Sequence, residues 1–121
     1  MKITIPLKNN KDFLKVYKNG RFYSGKYIVL YSLRNGFDIN RIGITASKKV
    51  GNCVKRNKIK RLVKENYRLI EDKIKDGYDI VFLIRNNEKI PDFYDIKKEM
   101  IFLLNRLSLL KEENCNCLKK K

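Results

Sequence analysis

Residues 51–68, reading GNCVKRNKIKRLVKENYR, restrict the possible folds of this chain more than any other stretch. At about 100° per residue, Ile59, Leu62, Val63, Asn66, Ile70 and Ile74 gather on one side of a helix, and Asn57, Arg61, Lys64 and Arg68 share a narrow arc opposite. The first side must pack against other elements. The second is left for solvent or for a polyanion. From Ile39 through Lys64 there is no acidic residue against nine Lys and Arg (41, 48, 49, 55, 56, 58, 60, 61 and 64), so no neighbour in sequence neutralises the arc.

The wider charge balance repeats this asymmetry. The chain carries 29 Lys and Arg against 13 Asp and Glu, a net charge of +16 over 121 residues. Up to Lys64 there are 17 basic and two acidic residues, Asp12 and Asp38; beyond it there are 12 and 11. A field concentrated in this way points first to nucleic acid and second to an anionic membrane surface. No apolar stretch approaches the ~20 residues of a membrane span. Residues 1–7 also lack the apolar centre of a secretory signal, so the expectation is a cytoplasmic protein that does not engage membranes. Cys53, Cys115 and Cys117 are too few and badly placed for a disulfide framework, and the Cys115/Cys117 pair is an incomplete soft-metal site. The absence of histidine removes the commonest general base and metal ligand, which counts against an autonomous protein enzyme.

The length fits a single domain over residues 1–121, with a charged, frayed tail from about residue 111. Asn9 or Asn10 caps a short helix ending at Asn19, with Asp12 in its first turn and Gly20 past its end. Phe13, Val16 and Tyr17 share its apolar stripe, which docks on a sheet. The two aromatics at i and i+4 also have the spacing to line a groove in which bases stack. Residues 21–33 are β-rich, with Gly25 at a bulge or bend. Tyr27, Val29, Tyr31 and Leu33 alternate there with Ile28, Leu30 and Ser32, apolar on both faces as in an interior strand. The Tyr31 hydroxyl suits a half-open groove. Asn35-Gly36 is a hairpin signal.

In the strand over residues 41–47, Ile42, Ile44 and Ala46 face the core. Gly43, Thr45 and Ser47 form a small polar face that leaves room for something to lie across the sheet. A basic loop then leads into the long helix, capped by Asn52, with Cys53 and Val54 against the sheet and an end near Lys75. Residues 78–84 read as a buried strand, parallel to the strand before the helix. Pro91-Asp92 opens a last helix whose Phe93, Ile96, Met100, Leu103, Leu104, Leu107 and Leu110 belong to the core.

Arg56-Asn57-Lys58-Ile59-Lys60-Arg61-Leu62, preceded by Ser47-Lys48-Lys49-Val50-Gly51-Asn52, closely resembles the signature of the bacterial ribonuclease P protein component. The segment from Asp12 to Gly20 and the Val29-Leu30-Tyr31 strand resemble that family in the same order, so that the likeness spans about residues 7–110. The family has Arg-Asn-Arg where this chain has Arg56-Asn57-Lys58, and often Arg where it has Lys64; lysine keeps the charge without the planar fork that grips phosphate. The resemblance implies an α+β fold, a two-layer α/β sandwich in α-β-β-β-α-β-α order. Its four-stranded mixed sheet has a left-handed β-α-β crossover, like the second domain of a small-subunit ribosomal protein. General topology would make that crossover right-handed in about 98% of cases.

The resemblance also implies a job: the protein subunit of ribonuclease P, which assists removal of the 5′ leader from precursor tRNA. Hydrolysis would belong to the RNA subunit and to Mg²⁺ bound mainly by it, with no catalytic residue and no obligate protein partner here. Lys48, Lys49, Arg56, Asn57, Lys58, Lys60, Arg61, Lys64 and Arg68 would bind phosphates of that RNA. Phe13, Tyr17 and Tyr31, with Thr45 and Ser47, would line a cleft for the single-stranded leader. The competing readings of the basic helix are a non-catalytic structured-RNA-binding protein, for example ribosome-associated, and an autonomous nuclease holding metal on Asp or Glu. A DNA reader would need a helix-turn element before the helix, which the sequence lacks.

Overall fold

The apolar run Tyr78–Ile84 forms the central strand of a five-stranded sheet in the computed structural model, which describes residues 4–46, 53–85 and 89–111. In chain order the elements are β1 (Thr4–Pro6), α1 (Asn10–Asn19), β2 (Arg21–Ser24), β3 (Ile28–Arg34), β4 (Asn40–Ala46), α2 (Cys53–Ile70), β5 (Tyr78–Ile84) and α3 (Phe93–Arg106). The sheet runs β1-β4-β5-β3-β2; β4 is parallel to both of its neighbours, and the remaining pairs are antiparallel. The mixed α+β class and the parallel β4–β5 pair joined through α2 match the sequence expectation. The strand count does not. Residues 4–6 add a fifth strand along β4, with Pro6 at the edge, where its missing N–H is tolerated.

One local reading is also corrected and another sharpened. Asn35-Gly36 does turn the chain, but the strands on either side are not partners, because β5 lies between β3 and β4. Residues 21–33, read as β-rich with a bulge or bend at Gly25, reverse fully there, as a hairpin of β2 and β3 in which the Gly25 N–H donates to the Ile28 carbonyl at 2.7 Å; this gives the three strands expected between α1 and α2. Glu99 of α3 fastens this turn by accepting from the backbone N–H groups of Lys26, Tyr27 and Ile28 at 2.8, 2.7 and 2.6 Å. A Cβ at Gly25 would lie 2.6 Å from Glu99 Cδ, so only glycine lets the carboxylate reach those donors.

Both faces of the sheet are covered. Ile28, Leu30, Ile80, Phe82 and Ile84 pack with Ile59, Leu62 and Val63 of α2 and Ile96, Met100, Leu103 and Leu104 of α3. Residues of the other parity, Tyr31, Leu33 and Val81, pack with Leu7 and with Phe13, Val16 and Tyr17 of α1. The molecule therefore has three layers rather than two, since β3 and β5 are apolar on both sides and each side needs a cover.

Asn9 and Asp92 start their helices as read: the Asn9 side chain accepts from the Lys11 N–H, and Asp92 opens α3, where the structure adds Asp95 to complete a capping box. The long helix is shorter than its pattern. It ends at Ile70, a 3₁₀ turn covers Glu71–Lys73, and Ile74 bridges to Leu110 as the chain turns toward β5. Cys53 and Val54 do not meet the sheet. Both are exposed, Val54 by 77%, because the same rotation that buries Ile59 carries them to the outer arc.

Candidate nucleic-acid interface

The buried stripe of α2 comprises Ile59, Leu62, Val63, Asn66, Tyr67 and Ile70. Asn57, Arg61, Lys64 and Arg68 are all exposed on the other side, with Lys60 half-exposed beside them. Arg61 Nε lies 3.9 Å from Glu65 Oε1, and both side chains are largely in water. Such an i,i+4 contact is worth about 0.3–0.5 kcal/mol, so it leaves the guanidinium free to exchange onto a phosphate. Among the described residues, Lys64 and Arg68 have no carboxylate within ion-pair distance.

The first turn of α2 contains no acidic residue and carries Lys55 and Arg56, with Lys58 just beyond, near the positive end of the helix dipole. Each such misplacement costs about 0.3–1 kcal/mol. Burial of each large aliphatic side chain on the inner stripe contributes about 1.5–3 kcal/mol, which keeps the helix formed. Its apolar flank therefore holds α2 in place while its N-terminal half retains a preference for an anion. Arg56 and Lys58 leave the arc on opposite flanks, with Arg56 Nη2 donating to Cys53 Sγ at 3.1 Å. Lys48, Lys49 and Ser47, along with Asn52, Cys115 and Cys117, lie outside the described residues.

Asn57, Lys60, Arg61, Lys64 and Arg68 form one wall of a cleft of about 750 Å³, with Tyr67 and the single carboxylate Glu71 at its far end. Pro6, Leu7, Phe13, Ile42, Gly43 and Ile44 form the other. The cleft exists because β1 accompanies β4 only as far as Ile42, whose carbonyl accepts from the Leu7 N–H at 2.7 Å. Beyond that point the outer edge of β4 has no strand beside it among the described residues.

Phe13 also begins a line of rings that crosses the opposite face of the sheet. It sits directly over Gly43, and its ring centroid is 6.3 Å from that of Tyr17. Tyr17 meets Tyr31 edge-on at 4.9 Å. Burial, and to a smaller degree Tyr31, raises the pKa of the Tyr17 phenol above its ordinary value, so at neutral pH it is a neutral donor. Thr45 is half-buried, two residues along β4 from Gly43 and therefore on the same face. The structure thus gathers Phe13, Tyr17, Tyr31 and Thr45 on one side of the sheet and the cations of α2 at its β4 edge. Phe13 belongs to both groups.

One cation of the acid-free window is withdrawn from the surface. Arg41 donates from Nε and Nη2 to the two carboxylate oxygens of buried Asp79 at 2.8 and 2.6 Å, and from Nη1 to Asp12 Oδ2 at 3.2 Å. Its charge is neutralised by acids outside that window, and the bond to Asp79 raises its pKa further. One aromatic was missed: Phe22 of β2, directly opposite Tyr31 in the sheet register, stacks on it with centroids 5.5 Å apart. No periodicity within residues 21–24 marks it, because its role depends on the neighbouring strand.

The family model described as Ribonuclease P matches residues 1–108. The chain is 48% identical over 104 residues to the Ribonuclease P protein component of Clostridium botulinum, covering 85% of this chain and 94% of that protein. It is 49% identical over 104 residues to that of Clostridioides difficile, covering 85% and 91%. Among solved structures, the Staphylococcus aureus RNase P protein superposes with a TM-score of 0.79 at 33% identity, covering 88% of this chain and 97% of that one. The Thermotoga maritima RNase P protein gives 0.73 at 33% identity, covering 84% and 96%.

Proposed function

The chain belongs to the ribonuclease P protein family and is an RNA-binding subunit of that tRNA-processing ribonucleoprotein, and from this premise we propose a division of labour between its two surfaces. The outer arc of α2, with Asn57, Lys60, Arg61, Lys64 and Arg68 at its centre and Arg56 and Lys58 on its flanks, binds phosphates of the ribonuclease P RNA. Lys48 and Lys49 extend this set. These contacts fix position and register and carry little sequence information. Phe13, Tyr17 and Tyr31, with Thr45 and Ser47, hold the single-stranded 5′ leader of precursor tRNA. Stacking contributes about 1–3 kcal/mol per base whatever the base, which suits a leader of variable sequence.

In this reading the RNA subunit cuts the leader, and the protein places the substrate. As part of the same proposal, Mg²⁺ takes its ligands mainly from the RNA. No described helix is long and apolar enough to cross a membrane. A cytoplasmic location and the lack of an obligate protein partner belong to the proposal and rest on the family's role. A left-handed β4–α2–β5 crossover is part of the same proposal.

The observation that supports it best is the position of Phe13, which closes the cationic cleft on one side and starts the aromatic row on the other. A strand leaving RNA held on α2 would therefore pass directly onto stacking rings. The test is assembly of the holoenzyme with ribonuclease P RNA over a salt series. Arg61→Ala with Arg68→Ala should weaken assembly and lower the slope of log affinity against log salt by roughly 1.4–1.8, because each phosphate left without its cation removes about 0.7–0.9. An unchanged slope would remove α2 as the RNA-facing surface.

A further inference from the structure

We propose that Phe22 is a fourth stacking platform, which lengthens the leader-binding row to the β2 edge of the sheet and engages the leader nucleotide farthest from α2. The inference rests on the leader cleft proposed above. It adds a residue that neither the sequence pattern nor the signature of the basic helix singles out.

The register places Gly43, Val81, Tyr31 and Phe22 in one row across β4, β5, β3 and β2. All four point to the α1 side, as the burial of Val81 with Val16 and Leu7 requires. Phe13 covers the first position, Val81 is sealed in the middle, and Tyr31 is flanked by Tyr17 and Phe22. Phe22 is the outermost ring. It is 60% exposed, stacked at 30° on Tyr31, and lies on an edge strand with no further strand beyond it among the described residues.

What sets Phe22 apart from the other exposed apolar side chains is its place: it stacks on Tyr31 in the row that Phe13 and Tyr17 begin. An aromatic face continuing an existing line of rings is what a run of unpaired bases requires. Three inter-strand spacings of about 4.8 Å make the row roughly 14 Å long. Val81 is sealed beneath Val16, and Phe22 is stacked on Tyr31, so a leader must pass along the open side of the row and needs several nucleotides to reach Phe22 from the β4 edge. The cationic cleft lies at the β4 end of the row, so Phe22 is reached last by a strand that starts there.

The test is the affinity of the reconstituted holoenzyme for precursor tRNAs whose leaders increase one nucleotide at a time, with mature tRNA as reference. Phe22→Ser should lower affinity on the order of tenfold for long leaders, with no effect on mature tRNA or on leaders too short to cross the sheet. Phe22→Tyr should restore the affinity. Phe22→Leu, which keeps apolar volume without a π face, should behave like Phe22→Ser and guards against a folding artefact. If Phe22→Ser leaves every leader length unchanged while Phe13→Ala and Tyr17→Ala still weaken precursor binding, the platform is refuted and the cleft stands. A loss that is equal at all lengths refutes the distal position. If Phe13→Ala and Tyr17→Ala also leave precursor binding untouched, the cleft itself is wrong and Phe22 falls with it.

Discussion

Gly43→Ala should separate the effect of a single methyl group into two opposing parts. A Cβ at this position would lie 2.5 Å from both Cε1 and Cζ of Phe13. Carbon atoms in good contact sit about 3.5–4.0 Å apart, so the ring must retreat by about 1 Å. Forcing a group into a filled site of this kind typically costs about 1–3 kcal/mol. The backbone of Gly43 is not in the left-handed region, so the methyl brings no conformational strain of its own. Replacing a strand glycine by alanine without a clash should instead stabilise by about 0.5–1 kcal/mol. The sign should therefore depend on Phe13. In the parent chain Gly43→Ala destabilises; in a Phe13→Ala background the same change is neutral or stabilising. The interaction energy of the cycle should reach about 2–3 kcal/mol, well beyond the ~0.5 kcal/mol of independent sites. Urea unfolding followed by circular dichroism would read it as a shift in midpoint at constant slope, and a scan as a fall of roughly 4–12 °C for the single variant. Equal destabilisation in both backgrounds would show that the ring is not what excludes the methyl, and would undo the account of how Phe13 is seated over β4.

The clamp that holds α1 to the sheet makes a second prediction. Asp79→Ala strips the Arg41 guanidinium of its bidentate partner and leaves Asn35 Nδ2 without the oxygen it meets at 3.0 Å. Breaking a buried pair costs about 3–5 kcal/mol, and the partial exposure of Arg41 places the expected loss near 3; a measured loss below about 1 kcal/mol would show that the pair is incidental. A third prediction concerns alkaline pH. Burial raises the pKa values of Tyr17 and, more deeply inside, Tyr67, so the fold favours their neutral phenols. Below the ordinary tyrosine pKa of about 10 this contribution is complete. As pH rises further the unfolded chain releases these protons first, so it binds fewer than the native state and stability falls. Urea midpoints taken from about pH 9 to 11 should decline less steeply for Tyr17→Phe with Tyr67→Phe than for the parent, and parallel declines would remove burial of these phenols as a cause.

The legibility of the fold followed the range of the interactions involved. Asn9 and Asp92 were readable as helix starts because a cap bonds within three residues of itself. Ile80 and Phe82 were readable as interior because a strand apolar on both faces has no solvent side. The five-strand order was not readable. Whether β3 pairs with β4 or admits β5 between them depends on which edges meet after α2 has crossed the sheet, and Asn35-Gly36 looks the same in either case. Arg41 was misjudged for a similar reason, since its partners lie 38 and 29 residues away. Glu99 gave no local sign that it would bind three N–H groups more than 70 residues distant.

By itself the sequence determined that one helix would be greasy on one flank and cationic on the other, because angular position along a helix depends only on separation in the chain. It likewise determined that Phe13 and Tyr17 would project from the same side of α1. Only the tertiary structure decided that Phe13 would stand between the cations of α2 and the aromatic row, that Phe22 would extend that row, and that Arg41 would be neutralised. Each of these is a meeting of side chains from separate elements, set by strand register and by the order in which edges pair, and no local periodicity encodes either.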